Sequence, residues 1–273
     1  MVQTIACANQ KGGVGKTTTV VNLSSQLANS GHRTLVIDLD PQGNATSGFG
    51  VDRSLLDQSI YEGVVDGTPL AALVVTTSAA GVDLIPSAIA LAGAEVELAN
   101  VDARERRLRR LIAGVLDRYD VIFIDCPPSL GLLTVNALTA ADAVLIPLQC
   151  EYYALEGLTQ LLATIDLVRD HLNPRLAVDG VVLTMADGRT NLSSDVAAEA
   201  RRHLGPLVYE TVIPRNVRLS EAPSHGLPID RYAPDSRGAQ AYAELAREFD
   251  RRHGASSTGP ETAALPEREA AVV

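Results

Sequence analysis

Tryptophan is absent from this 273-residue sequence, aromatic residues make up 4% of it, and there are two methionines and three cysteines. Cys7, Cys126 and Cys150 are far apart, lie in apolar runs and show no C-x-x-C spacing. That argues against a disulfide framework or a cysteine-held metal cluster and leads us to expect buried, reduced thiols in a cytosolic protein. No apolar run reaches the roughly 18 to 20 residues that cross a bilayer. Strand-like residues begin at once, with no basic segment leading into an apolar one, so no export signal is expected. An excess of positive charge is missing too. The formal net charge is −10, and on average such a surface repels nucleic acid and anionic lipid. Binding to DNA therefore requires a local basic patch.

Lysine is the scarcest of the charged residues. There are two lysines against 21 arginines, and both lysines, Lys11 and Lys16, fall in one stretch, ANQKGGVGKTTTV (residues 8–20). A planar guanidinium cannot replace a compact ammonium in a tight phosphate cradle. The stretch ends in Gly-Lys-Thr, yet it misses the usual phosphate-loop spacing G-x-x-x-x-G-K-[ST], because Gln10 stands where the first glycine belongs.

The chain is 46% hydrophobic, enough for one large α/β domain or two small ones. Continuous apolar runs alternate with helical patterns. TIACAN leads into the glycine loop, and TLVIDLD (residues 34–40), VDLIPS (82–87), VIFIDCPPS, ADAVLIPLQ, LAVDGVVLTM and LVYETVIP read as further strands. Between them, helical spacing recurs at Val20, Leu23 and Leu27, at Leu155, Leu158, Leu162 and Ile165, and at Tyr242, Leu245, Ala246 and Phe249. Residues 104–118 read as one amphipathic helix with Leu108, Leu111, Ile112, Val115 and Leu116 on its inner face. Residues 42–80 are poorly periodic and are expected to hold loops and short helices. Apolar strands separated by helices predict an α/β fold: a doubly wound, mostly parallel sheet covered by helices on both faces. Residues 1–253 are expected to form a single domain. The remainder, 254–273, is small, acidic and proline-broken and reads as a disordered tail.

The loop's predicted place between a strand and a helix is the context that supports a phosphate site. Gly12, Gly13 and Gly15 let the backbone wrap phosphate oxygens, and the helix N-terminus faces the anion. Lys16 should reach the β- and γ-phosphates, and the Thr17 hydroxyl should bind Mg²⁺. Asp38, Asp40 and Asp125 end predicted strands, and ligands of open α/β sheets sit at those ends. Asp125 fits the acid that holds the metal through water. On a regular strand Asp38 and Asp40 would face the same way. The turn at Pro41 is expected to free Asp40 toward the γ-phosphate, the lesser alternative being that one of the pair is a capping or ion-pairing acid.

Four motifs, KGGVGKTT, IDLDPQGN, FIDCPPS and VIPRN, together resemble the ParA/Soj group of the ParA–MinD family of deviant Walker A ATPases, in the family's order and spacing over about residues 1–252. The resemblance implies a P-loop NTPase fold that uses ATP and Mg²⁺. It implies that Lys11 crosses a homodimer interface to the phosphates of the other subunit, sandwiching two ATP molecules. Gly12 then lies where a bulky side chain would block that sandwich. Asp40 matches the residue that positions the attacking water, Asp38 and Asp125 the acids around Mg²⁺, and Pro214, Arg215 and Asn216 the loop that grips adenine. The implied nucleotide set adds Val14 and Thr18 to Lys11, Gly12, Gly13, Gly15, Lys16 and Thr17, with Lys11, Lys16 and Asp40 catalytic. A second subunit's cation near the γ-phosphate acts as an arginine finger does, so bound ATP holds the dimer and hydrolysis releases it.

Within the family, the resemblance implies a partition ATPase whose ATP dimer binds DNA non-specifically and whose hydrolysis a ParB-type partner stimulates. Arg189 and Arg218 match the DNA-facing arginines of Soj-like members, with Arg201, Arg202, Arg247, Arg251 and Arg252 as further candidates. The cluster Arg104, Arg106, Arg107, Arg109 and Arg110 reads as a solvated helix face. A cytoplasmic, nucleoid-associated protein is expected. A MinD-like membrane ATPase would carry a basic amphipathic C-terminal helix, which the acidic tail does not resemble. A metal-cluster carrier lacks its cysteine pair, and a dinucleotide dehydrogenase its G-x-G-x-x-G. A family member that positions another cargo remains the alternative. The stretch QCEYYALEGL resembles the chromosomal branch, though the sequence offers no physical role for it.

Overall fold

The computed structural model describes residues 2–151, 154–189 and 191–254. An eight-stranded sheet runs through it: β1 (Gln3–Cys7), β2 (Thr34–Asp38), β3 (Val75–Thr76), β4 (Val82–Ile85), β5 (Val121–Asp125), β6 (Ala143–Gln149), β7 (Ala177–Ala186) and β8 (Val208–Pro214), in the order β3-β4-β2-β5-β1-β6-β7-β8. Every pairing is parallel except β3 with β4 at one edge. All residues of β2, β5 and β6 are buried, so their apolar runs are continuous rather than alternating, as a sheet covered on both faces demands.

Neighbouring residues of one strand feed opposite layers. Ile5, Cys7, Val36, Phe123 and Leu145 pack with α1 (Lys16–Asn29) and with α10 (Val217–Glu221), α11 (Ile229–Tyr232) and α12 (Arg237–Gly254). Ala6, Leu35, Ile37, Ile122, Ile124 and Ile146 pack on the other side. That layer holds α3 (Ile60–Asp66), α4 (Leu70–Leu73), α5 (Ala94–Glu97), α6 (Arg107–Ile112), α7 (Leu132–Ala140), α8 (Ala154–His171) and α9 (Asn191–Leu204). The short α2 (Asn44–Gly48) follows β2.

Residues 104–118 depart from the single helix expected of them. A 3₁₀ turn (Arg104–Arg106) leads into α6, the chain turns at Gly114, and a second 3₁₀ turn follows (Leu116–Arg118). Gly114 and Val115 take three-residue hydrogen bonds, to Leu111 and Ile112, that end the α-helical ladder. Leu108, Ile112 and Val115 stay in the core, but Leu116 is turned out to 38% exposure. The 34–40 and 82–87 strands are shorter than their apolar runs, ending at Asp38 and at Ile85, just before Pro86. α7 carries no helical period because it is buried nearly all round, through Leu133, Thr134, Asn136, Ala137, Leu138 and Thr139. Gly254 still belongs to α12; residues 255–273, the rest of the expected tail, lie outside the described residues. Among the described residues no helix is long and apolar enough to cross a membrane.

Candidate functional site

After β1 the chain moves to β2, on the far side of β5. After β5 it steps over β1 to β6. Strand order reverses there, and the crevice at the carboxyl ends is where such sheets bind ligands. The register brings Cys7 level with Asp125, and Asp125 level with Asp38. Two acids that are distant in sequence thus stand side by side under the loop that follows β1.

That loop is built to leave its donors free. Gly13 and Gly15 take left-handed backbone angles (φ 75° and 91°), which exclude other residues without strain. Gly15 caps α1 with no side-chain hydrogen bond, so the first-turn amides are available to an anion. Lys16 is 7% exposed, and its Nζ lies 3.3 Å from the Lys11 carbonyl, inside the loop. Val14 is buried, and its carbonyl accepts from Thr184 Oγ1 of β7 (2.8 Å). Asn9 braces the entrance: its Nδ2 donates to the Pro147 carbonyl (2.8 Å) and its Oδ1 accepts from the Lys11 amide (3.1 Å). Thr17 and Thr18 are half-buried in the first turn of α1. Gly12 differs from its neighbours, having neither a left-handed φ nor any atom within 4 Å of where a Cβ would stand.

The acids beneath are unequal. Asp125 is fully buried, and neither carboxylate oxygen receives a hydrogen bond of ordinary geometry. Burial pushes its carboxyl well up and the charge of Asp38 adds to that, while the Thr17 hydroxyl and Lys16 oppose it. Asp38 is as deeply buried but accepts from the Thr46 amide (2.7 Å), the Thr46 hydroxyl (2.6 Å) and the Asp40 amide (3.2 Å). Burial raises it to about 6 against the pull of those bonds. Because β2 ends at Asp38, Asp40 is released from strand alternation, and its Oδ1 accepts from the Gln42 amide (2.9 Å). Among the described residues no group of three or more His, Cys, Asp or Glu side chains stands ready for a metal. A pair of buried acids beside a threonine hydroxyl fits Mg²⁺ instead, which keeps most of its waters and shares phosphate oxygens.

Pro214, Arg215 and Asn216 lie at the end of β8. The Arg215 amide donates to the Ala186 carbonyl, and Asn216 caps α10 through the Arg218 amide. This places the turn after β8 beside the turn after β7. Arg189 sits on the turn after β7 and Arg218 in the first turn of α10, both exposed and both paired: Arg189 to Asp187 through two nitrogens (2.6 and 2.8 Å), Arg218 to Glu221 (2.8 Å). Arg252 is a structural residue, tied to Glu248 and the Val208 carbonyl. In the 104–110 cluster, Arg104 bonds Glu105 and the Ala99 carbonyl, and Arg107 the Val65 carbonyl. Asn9, Thr46 and Thr184 are site residues without a sequence signal, since each acts through a partner remote in the chain or within a loop.

A glycine loop folded around a buried lysine, a helix N-terminus and two strand-end acids define a P-loop nucleotide-binding protein. The AAA domain family model matches residues 2–178. The chain is 56% identical to the sporulation initiation inhibitor protein Soj of Bacillus subtilis, over 91% of this chain and 98% of that one. It is 52% identical to the chromosome partitioning protein ParA of Myxococcus xanthus, over 91% and 88%. Among solved structures it is similar to a cobyrinic acid a,c-diamide synthase of Mycobacterium smegmatis with bound ATP analog and magnesium (TM-score 0.83, 39% identity, 94% and 97% covered). It is also similar to the cell division ATPase MinD of Pyrococcus furiosus (TM-score 0.76, 26% identity, 92% and 99% covered). The chain belongs to the ParA/Soj family of partitioning ATPases, within the ParA–MinD deviant Walker A group.

Proposed function

We propose that this chain is an ATP-driven dimerisation switch that binds DNA non-specifically in its ATP state and segregates a chromosome or plasmid with a ParB-type partner, in the cytoplasm and on the nucleoid. It is an ATPase whose cofactors are ATP and Mg²⁺. Bound Mg²⁺ neutralises charge that develops on the transferred phosphoryl group. Thr17 and the Asp38–Asp125 pair would hold that ion. The α1 amides and Lys16 bind and orient the phosphates. Asp40, at the start of its own turn, holds the attacking water and takes up its proton. Pro214, Arg215 and Asn216 close over the base.

The observation that carries the dimer is the division of labour in one loop. Lys16 is buried inside it, whereas Lys11 stands at the rim, 39% exposed, beside a glycine that nothing among the described residues requires. A rim lysine next to an open Cα suits a second copy's nucleotide.

Arg189 and Arg218 give the DNA face. In the single chain their charges are answered by Asp187 and Glu221, so binding exchanges those carboxylates for DNA phosphates, and two copies double the number of arginines that can make the exchange. Co-sedimentation with DNA in ATP, in ADP and without nucleotide tests this reading. Retention is expected in ATP alone, falling steeply between low and high salt, and Arg189→Glu with Arg218→Glu should lower it about tenfold or more. Equal retention in all three states, or none in ATP, overturns it.

A further inference from the structure

Lys11 ends in a contact that a lysine bound for another subunit's phosphates has to give up. Its Nζ lies 3.0 Å from Oε2 of Glu151. Glu151 follows β6 and belongs to the QCEYYALEGL stretch, whose role the sequence leaves open. The carboxylate is not a loose surface acid. Its Oε1 accepts from Gln149 Nε2 (2.5 Å), Gln149 is itself buried, and the Glu151 amide donates to the Gln149 carbonyl (2.8 Å). The acid is therefore fixed to the end of β6, the strand next to β1.

The lysine is fixed from the same place. Asn9 ties the loop to β6 through the Pro147 carbonyl and holds the Lys11 amide, while the Lys11 carbonyl accepts from Lys16 Nζ. Both partners of the ion pair are anchored to adjacent strand ends, so the contact costs little further ordering. It draws the ammonium back onto its own subunit.

We propose that Glu151 is a latch in cis on Lys11, holding the ammonium until a second copy's nucleotide displaces it, and so setting the threshold for ATP-dependent dimerisation. This rests on the dimer reading above. The pair is half-exposed (39% and 46%), so it is weak by design. Such pairs are worth a factor of roughly two to five. A symmetric dimer breaks one latch per subunit, so the factor enters squared, roughly 4- to 25-fold in the dimer dissociation constant.

Two measurements on the full chain test it. The chain holds only two lysines, so amine acylation followed by mass spectrometry reports Lys11 cleanly in the nucleotide-free monomer. Glu151→Gln should raise the Lys11 acylation rate about two- to fivefold and leave Lys16 unchanged, with the gain shrinking at high salt. An unchanged Lys11 rate shows that no latch exists. Sedimentation with a non-hydrolysable ATP analogue should then show the Glu151→Gln dimer roughly 4- to 25-fold tighter than wild type at low salt. A weaker or unchanged dimer overturns the latch alone. A wild-type chain that stays monomeric at every analogue concentration overturns the dimer reading, and the threshold role with it.

Discussion

Asp125, at the carboxyl end of β5, and Glu248, on the inner face of α12, are both almost wholly buried acids, and they are held in opposite ways. Glu248 is surrounded by donors. Its Oε1 accepts from the Glu210 amide (2.8 Å) and from Arg252 (2.8 and 3.1 Å), and its Oε2 accepts from the Thr211 amide (2.8 Å). Burial alone would raise its carboxyl, but the two amides and the guanidinium overcome that and leave it below the usual range. Asp125 has no such donors and is driven the other way. A satisfied buried acid fastens structure: Glu248 pins α12 across β8. An unsatisfied one is a cost that the fold carries for a ligand. The two regions differ in purpose, and the difference is visible in their hydrogen bonds.

The comparison can be broken most forcefully at Glu248. Removing it strands two strand amides and takes the carboxylate from Arg252, which keeps its bonds to the Pro206 and Val208 carbonyls, so Glu248→Ala should cost about 3 kcal/mol in urea unfolding, with nucleotide binding by the remaining folded protein intact. A loss within about 0.5 kcal/mol would show that α12 is held by packing alone.

Asp125→Asn should act with the opposite sign. Replacing a buried carboxyl that burial and the Asp38 charge both disfavour, and that only the Thr17 hydroxyl and Lys16 oppose, is expected to stabilise the nucleotide-free protein by about 1 to 2 kcal/mol, while the further stabilisation from Mg²⁺–ATP falls away. Thermal unfolding with and without Mg²⁺–ATP reads both effects. A nucleotide-free variant less stable than wild type would mean that Asp125 has a structural partner after all.

The smallest effect is a pH dependence. The folded chain holds the Asp38 proton up to about pH 6, against an unfolded value near 3.8. The folded state therefore binds more protons between those values, and this group makes the nucleotide-free protein more stable as pH falls from 7 toward 5. The slope is at most about 1.4 kcal/mol per pH unit. Asp38→Asn should flatten that part of the curve. An identical slope in the variant would remove Asp38 as its source.

The nucleotide end was legible in the residues because its demands are local. A loop that wraps phosphate needs glycines at left-handed angles within a few residues, a lysine and threonine opening a helix, and acids where apolar runs stop. Buried parallel strands likewise announce themselves as unbroken apolar runs. The 104–118 segment was misread because apolar spacing alone does not show where Gly114 breaks the ladder. α7 was not legible because a helix buried all round carries no period. The Glu248 fastening was equally silent: its three partners are spread over β8 and α12, and nothing in an amphipathic helix marks one inward glutamate as satisfied.

By itself the sequence determined the class of protein, since phosphate binding requires particular residue types at particular short spacings, and those are written in order along the chain. Only the tertiary structure decided which charges are free and which are held. It set an Asp125 without ordinary hydrogen bonds beside a well-bonded Asp38 and placed Glu151, 140 residues from Lys11, against that lysine's ammonium. The reason is that such pairings depend on which strand ends become neighbours, and strand order comes from packing two helical layers onto one twisted sheet rather than from any local stretch of chain.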